Sequence, residues 1–231
     1  MRQEIKHWHL KNHKLFDHFD DAELDSLCLI TAYKKGVKND VILFSQNDLK
    51  RLYTVKEGSI KICHQDQSGK EVITEILTEH DIFGYINLSE SENRVLNEYA
   101  KVISDSVKIC SFEVEKFKMV VQNNPNLSLK YSALIDEKLV SFQQKYSDLI
   151  FKDARTRIIE FFKKYAHYHA KQKPNGWEME MLLTHQEIAE YTATSRQTVT
   201  TIINELINDN KITYFGRKIV VISDLTLLNY D

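Results

Sequence analysis

The stretch LTHQEIAEYTATSRQTVTTIINELINDNKI, residues 183–212, decides the reading of this chain. Thr184-His185-Gln186-Glu187 is a capping box, in which a hydroxyl and a carboxylate three residues apart satisfy each other's orphan backbone N–H groups and open a helix. That helix turns Ile188 and Tyr191 inward, and the small Ala189 lets a neighbouring helix approach. It stops at Thr192-Ala193-Thr194. Ser195 then caps a second helix whose inner face is Val199, Ile202, Ile203 and Leu206. Two short helices joined by a turn of three to four residues form a helix-turn-helix. Near the start of the second helix the outward residues are Arg196, Gln197, Thr200 and Thr201, polar side chains suited to base edges in a major groove.

A short hairpin follows, ITYF–GRK–IVVIS over 212–223, with Gly216-Arg217-Lys218 at its tip. Helix pair plus hairpin has the form of a winged helix, whose tip cations reach phosphate, and points to DNA binding. Upstream, residues 155–170 read as a helix with Ile158, Ile159, Phe161, Phe162 and Tyr165 inside, followed by the polar loop KQKPNG (171–176) and a strand-like WEMEML (177–182).

Further back, the pattern is helical from Glu113, and Pro125 sits in the first turn of a long helix running to about Phe151, where its missing N–H is harmless. Ile135, Leu139, Phe142, Tyr146 and Leu149 are spaced 4, 3, 4, 3, the apolar seam of a two-stranded coiled coil. The seam predicts a dimer. Leu134, Val140 and Ile150 leave open a helix packed on its own domain instead. From Tyr33 to Phe112 the chain is β-rich, with VILF (41–44), RLYTVKE (51–57), SIKICH (59–64), EVITEIL (71–77) and YAKVI (99–103) between turn signals, which predicts an antiparallel sandwich or barrel. Asp20 to Leu27 reads as a short helix with acidic residues at its start. The segment before it carries four His and shows little periodicity.

The 231 residues suggest one large domain or two modest ones, and 6 Gly with 2 Pro exclude collagen-like and Pro/Gly low-complexity architectures. No apolar run approaches a membrane span, and the N-terminus has no signal-peptide core, so no membrane partner and a cytoplasmic location are expected. Cys28, Cys63 and Cys110 are too few and too far apart for a disulfide framework or a zinc site, and reduced, buried thiols are expected. Net charge is −2, so the chain is not a basic coat for nucleic acid. Residues 1–150 hold 20 basic and 23 acidic side chains and residues 151–231 hold 11 and 10, a small tilt toward a C-terminal nucleic-acid module.

On these residues the chain resembles the Crp/Fnr family of bacterial regulators. Thr184, Gln186-Glu187-Ile188-Ala189, Ser195-Arg196-Gln197-Thr198-Val199, Leu206 and the Ile212…Gly216…Ile219-Val220-Val221 hairpin carry the C-terminal match. LYTVKEGSIKI, DQSGKEVITEIL, DIFG and YAKVISDSVKI look like the family's β-roll sensor, and the helix from 125 to 151 looks like its dimerisation helix. The resemblance implies an α+β chain. Residues 1–124 would form an antiparallel β-roll, a cyclic-nucleotide-binding-like jelly roll. Residues 125–152 would be the dimerisation helix and 153–231 a winged helix-turn-helix. It implies a homodimer on double-stranded DNA, with two half-sites about one helical turn apart.

By motif position Arg196 reads guanine, while Gln197 stands where many relatives carry Glu and pairs better with adenine. Thr201 stands where relatives often have a second Arg, so a half-site richer in A·T than the GTGA type is expected. Thr184, His185, Gln186, Ser195, Thr198, Arg217 and Lys218 are assigned to the DNA backbone. Ala193 occupies a turn position where relatives commonly have Gly. A left-handed conformation there would cost an Ala roughly 1–2 kcal/mol.

Relatives that bind a cyclic nucleotide use a Gly-Glu-Leu run followed by Arg-Ser. Here the run is Gly84-Tyr85-Ile86 and the later pair is Leu96-Asn97, so the ribose carboxylate and the phosphate cation are missing. Binding of cyclic AMP in the usual mode is not expected. An unknown small molecule near Tyr85, Asn87, Arg94, Asn97 and Tyr99, or a pocket filled by side chains, remains open. His7, His9, His13, His167 and His169 raise metal or haem, but scattered surface His is the commoner outcome, and no metal or cofactor is expected. A cupin-type enzyme would need clustered His and carboxylate on adjacent strands, and His64 and His80 do not supply them. The other alternative is a small-molecule-binding regulator of this fold without a DNA role. The Lys173-Pro174-Asn175-Gly176 loop lies where relatives touch RNA polymerase.

Overall fold

Asp20 accepts a bond from the Glu23 N–H and Glu23 returns one to the Asp20 N–H, so helix α1 (Asp21–Ile30) opens on a capping box. In this computed structural model, residues 10–46, 49–84, 98–174, 176–215 and 219–222 are described. Before α1 the chain is not featureless. His13, Phe16 and Phe19 donate their N–H groups to the carbonyls of Leu10, His13 and Phe16 at 3.1, 2.8 and 3.0 Å, and these four side chains are all buried. The repeat is three residues, which neither helix nor strand periodicity detects.

Among the described residues nine antiparallel strands follow: β1 (Thr31–Val37), β2 (Val41–Leu43), β3 (Ser45–Gln46), β4 (Leu49–Glu57), β5 (Ile60–Gln65), β6 (Glu71–Leu77), β7 (Ile82–Gly84), β8 (Glu98–Val102) and β9 (Ser106–Glu113). One sheet has the order β1-β9-β4-β3, with β7 also paired to β4; the other runs β2-β8-β5-β6. Between the sheets lie Tyr53, Val55, Ile60, Ile62, Leu77, Phe83, Ala100, Val102, Val107 and Ile109. Side chains alternate across a strand. Leu52, Cys110 and Phe112 therefore face the other way, into a second core with α1, the N-terminal segment and the helices after β9. Gly58 makes the β4–β5 turn at φ +89°, where a Cβ would sit 2.3 Å from the Ser106 carbonyl oxygen, so no other residue fits.

Helix α2 (Val114–Asn123) leads into α3 (Pro125–Phe151). Pro125 has no N–H to place, and the Asn124 carboxamide oxygen accepts the Leu127 N–H at 2.9 Å, which fixes the start. Leu127, Tyr131 and Leu134 bury into the second core. The chain divides into two compact units, Met1–Ser141 and Phe142–Asp231, the division falling within α3.

In the second unit, past the end of α3, the Asp153 carboxylate accepts the Thr156 N–H at 2.7 Å and caps α4 (Ala154–His169). Its expected inner face is buried in full. The polar loop expected at 171–176 is a correction: Lys171–Lys173 form strand β10, paired antiparallel to β11 (Gly176–Glu180). All three β10 side chains are exposed, so an edge strand of this kind carries no apolar alternation to read. Helices α5 (His185–Thr192) and α6 (Arg196–Asn208) precede the hairpin β12 (Ile212–Phe215) and β13 (Ile219–Ile222), giving a sheet of order β10-β11-β13-β12. The buried Tyr165 hydroxyl is satisfied on both sides, donating to the Glu180 carbonyl and accepting the Leu182 N–H, each at 3.1 Å. The architecture is the α+β arrangement of roll, long helix and helix-turn-helix with hairpin that the sequence predicts.

Candidate nucleic-acid interface

The capping box of α5 forms as expected: Thr184 Oγ1 accepts the Glu187 N–H at 3.2 Å and Glu187 Oε2 accepts the Thr184 N–H at 2.8 Å. Ile188, Ala189 and Thr192 are buried. Tyr191 is only half-buried, its ring 5.5 Å from that of Phe161 and its face 3.9 Å from the Lys145 ammonium. The helix ends on Ala193 at φ 52°, ψ 51°, a left-handed cap, and the Thr194 N–H bonds back to the Ala189 carbonyl at 3.0 Å. The turn therefore keeps the geometry that glycine favours and carries an alanine in it.

Ser195 Oγ accepts the Thr198 N–H at 3.0 Å and starts α6. Val199, Ile202, Ile203 and Leu206 are buried, and that orientation leaves Arg196, Gln197 and Thr201 exposed on the opposite side. Thr200 is half-buried and engaged: its hydroxyl donates to the Arg196 carbonyl at 2.9 Å and lies 2.9 Å from His185 Nδ1. With that proton on the carbonyl, His185 Nδ1–H is the donor to Thr200. Burial, and then the Arg196 charge, hold His185 below its ordinary pKa. The neutral ring has only that one N–H, so Nε2 is an acceptor and the side chain carries neither a charge nor a free donor. Gln186 Nε2 donates to Glu190 at 3.0 Å, and the Ser195 and Thr198 hydroxyls lie 2.8 Å apart. Arg217 and Lys218 lie outside the described residues.

Two arginines that the sequence reading passed over frame this motif. Arg155 bridges from α4 to Glu205 of α6. Arg157 donates from Nε to the Thr192 carbonyl at 2.9 Å, from one terminal nitrogen to the Lys152 carbonyl at 2.6 Å, and from the other to the Ala193 carbonyl at 3.2 Å. There was a signal. Cations at the start of a helix oppose its dipole, so two in the first turns of α4 call for acceptors elsewhere.

On α3, Leu139, Phe142, Tyr146 and Leu149 are 52%, 69%, 60% and 43% exposed, and the seam is uncovered in a single chain. Ile135 is half-buried and also packs against the core beneath the roll. Of the alternative set, Leu134 faces that core, while Val140 and Ile150 are exposed. Tyr85, Asn87, Arg94 and Asn97 lie outside the described residues. Tyr99 is next to Ala100, which faces the inter-sheet core, so its side chain takes the opposite face of the sheet, where its hydroxyl bonds Glu71. Lys138 of α3 meets Glu75 of β6 at 2.7 Å. Cys28, Cys63 and Cys110 are buried and form no disulfide with one another. Among the described residues no three His, Cys, Asp or Glu gather as a metal requires, and no helix is long and apolar enough to cross a membrane.

Comparison with known proteins agrees with this geometry. A Cyclic nucleotide-binding domain family matches residues 34–124 and a Crp-like helix-turn-helix domain family matches residues 156–230. The cAMP-activated global transcriptional regulator CRP of Pasteurella multocida is 31% identical over 171 residues, covering 74% of this chain and 80% of that protein. The Global nitrogen regulator of Synechocystis sp. is 24% identical over 190 residues, covering 82% and 84%. Among solved structures, FixK2 from Bradyrhizobium japonicum superposes with a TM-score of 0.74 at 16% identity, covering 86% of this chain and 96% of that one. A CooA mutant from Carboxydothermus hydrogenoformans gives 0.70 at 21% identity, covering 88% of each. The two structures show the shared fold. The sequence relatives show more, since they are transcription regulators and not enzymes, and both matched domains stand in the same chain. At such identity over so much of its length, this chain belongs to the Crp/Fnr family and is a DNA-binding transcription regulator.

Proposed function

We propose that the chain acts as a homodimer on a near-palindromic DNA site, each copy laying the start of α6 in a major groove. The observation that carries this reading is the pairing of two exposed features: an apolar seam on α3 with no cover, and a polar α6 start with no intramolecular role for Arg196 or Gln197 in the packing of the core. Arg196 takes a guanine edge bidentately, Gln197 an adenine edge, and Thr201 a thymine methyl, while Thr200 contributes only its methyl side because its hydroxyl is engaged. Thr184, Gln186, Ser195 and Thr198 set the register on phosphates, with Arg217 and Lys218 from the sequence between β12 and β13, while His185, its one N–H engaged, holds Thr200 in place. The β10–β11 hairpin around Lys173–Gly176 is the surface for RNA polymerase. The roll takes an effector other than cyclic AMP held in the family's usual way, or none, since Leu96 and Asn97 replace the phosphate ligands.

Selection of bound sequences from random DNA, at two salt concentrations and with cyclic AMP or cell metabolites added, tests these points together. Recovery of paired half-sites richer in A·T than GTGA, with cyclic AMP without effect, is the expected result. Unpaired half-sites, an unmodified GTGA preference or tight cyclic AMP dependence would each overturn the corresponding part.

A further inference from the structure

Three residues, Ala193 to Ser195, separate the end of α5 from the start of α6, so their dihedrals set the direction in which the recognition helix leaves α5. One of them holds an alanine at φ 52°, a well that an L-residue leaves readily for the right-handed region. The Thr192 and Ala193 carbonyls at this point are held by the Arg157 guanidinium at 2.9 and 3.2 Å, while the same group takes the Lys152 carbonyl at 2.6 Å, at the joint between α3 and α4. A planar fork of fixed donors is suited to bind three carbonyls in one geometry, which a lysine ammonium on a flexible stem does not reproduce. Fixing these carbonyls fixes the peptide planes on both sides of Ala193.

We infer that Arg157 is a positioning residue for sequence recognition: it keeps the Ala193 turn left-handed and so aims Arg196 and Gln197 at the bases, while tying that turn to the α3–α4 joint. It touches no base itself in this role. The inference rests on the proposed reading that the start of α6 contacts base edges.

The test is a double-mutant cycle in the full chain. Affinity is measured for a duplex selected by the unsubstituted protein and for a scrambled duplex, at one salt concentration. Arg157→Gln is expected to weaken binding to the selected duplex about tenfold, the scale of losing charge-assisted bonds, with the scrambled duplex changed less than about twofold. Ala193→Gly alone leaves selected-site affinity unchanged or tighter. Glycine holds the left-handed turn without help, so the Arg157→Gln, Ala193→Gly pair recovers most of the loss. If the two substitutions simply multiply, or if both duplexes weaken together, Arg157 is only a structural residue and the inference fails. Should Arg157→Gln not melt cooperatively, Arg157→Lys takes its place in the same cycle with the same criteria. Arg196→Ala separates the two readings. No change in the selected-to-scrambled ratio there sinks the base-reading proposal, whereas a loss there with none at Arg157 sinks the clamp alone.

Discussion

Phe142 is the most exposed side chain of the α3 seam, at 69%. Phe142→Ser should therefore leave the single chain almost untouched and act on association. An aromatic side chain offers about 200 Å², so roughly 140 Å² of Phe142 is open to a partner. Covering half of that, at about 25 cal/mol per Å², is worth about 2 kcal/mol. A two-fold interface counts each substitution twice, so the dimer loses about 3–4 kcal/mol, or two to three orders of magnitude in dissociation constant. Sedimentation across a dilution series reads that constant directly, and urea unfolding at a concentration where both proteins are monomeric reads any damage to the fold. Binding to a duplex with both half-sites should weaken far more than binding to one with a single half-site. An unchanged dissociation constant would refute the seam as the interface. A large loss of monomer stability would refute the premise that Phe142 packs against little of its own chain.

Ala193→Gly should stabilise the C-terminal unit by about 1 kcal/mol, because the left-handed cap at φ 52° no longer carries a Cβ; a lower melting temperature would contradict that. Thr184→Ala removes the capping box of α5 and should destabilise the same unit by about 1 kcal/mol in denaturant unfolding, and no change would mean the cap is replaced by solvent. His13 is 3% exposed, and burial, with the nearby His80 second, lowers its pKa from 6.5 to about 4. Between those values the unfolded chain binds a proton that the folded chain refuses, so the contribution is complete above about pH 6.5 and falls by about 3 kcal/mol as the pH drops to 4. His13→Asn, whose side-chain oxygen can still accept the Leu15 N–H, should flatten stability over that range; an equal slope in the variant would remove His13 as the cause.

What the sequence made legible was whatever repeats with the period of its own element. Val199, Ile202, Ile203 and Leu206 mark one face of α6, and Thr184 with Glu187 marks its neighbour's start, so the helix-turn-helix could be placed to the residue. Glu71 to Leu77, rich in β-branched residues and preceded by a turn signal, stands as a strand with the expected bounds. The segment before α1 was not legible because Leu10, His13, Phe16 and Phe19 bury at a three-residue repeat held by turn bonds, and charged residues fill the gaps. Strand β10 was not legible because Lys-Gln-Lys owes its strand to backbone pairing with Trp177 and its neighbours, not to a buried face. The site split the same way. The exposure of Arg196 and Gln197 follows from the helix period. The engagement of Thr200 with His185 and the reach of Arg157 to three carbonyls depend on where other elements end, which no local pattern records.

These tertiary contacts bear on how a chain with a net charge of −2 selects a site. It has little general attraction for a polyanion, so in the proposed homodimer discrimination comes from holding two α6 helices at a fixed separation and angle. Phe142, Tyr146 and Leu149 of the seam belong with the recognition helix to one compact unit, residues 142–231. Tyr146 lies on the seam, and its neighbour Lys145, about a quarter turn away around the helix, sets its ammonium on the face of Tyr191 in α5 at 3.9 Å. One turn of α3 thus addresses the proposed partner on one side and the helix-turn-helix on the other. Arg157 adds a second tie, from the end of α3 to the turn before α6. A shift of register along the seam would therefore carry both recognition helices with it. In the proposed dimer, anything that alters how two α3 helices meet alters half-site spacing before it alters a single base contact.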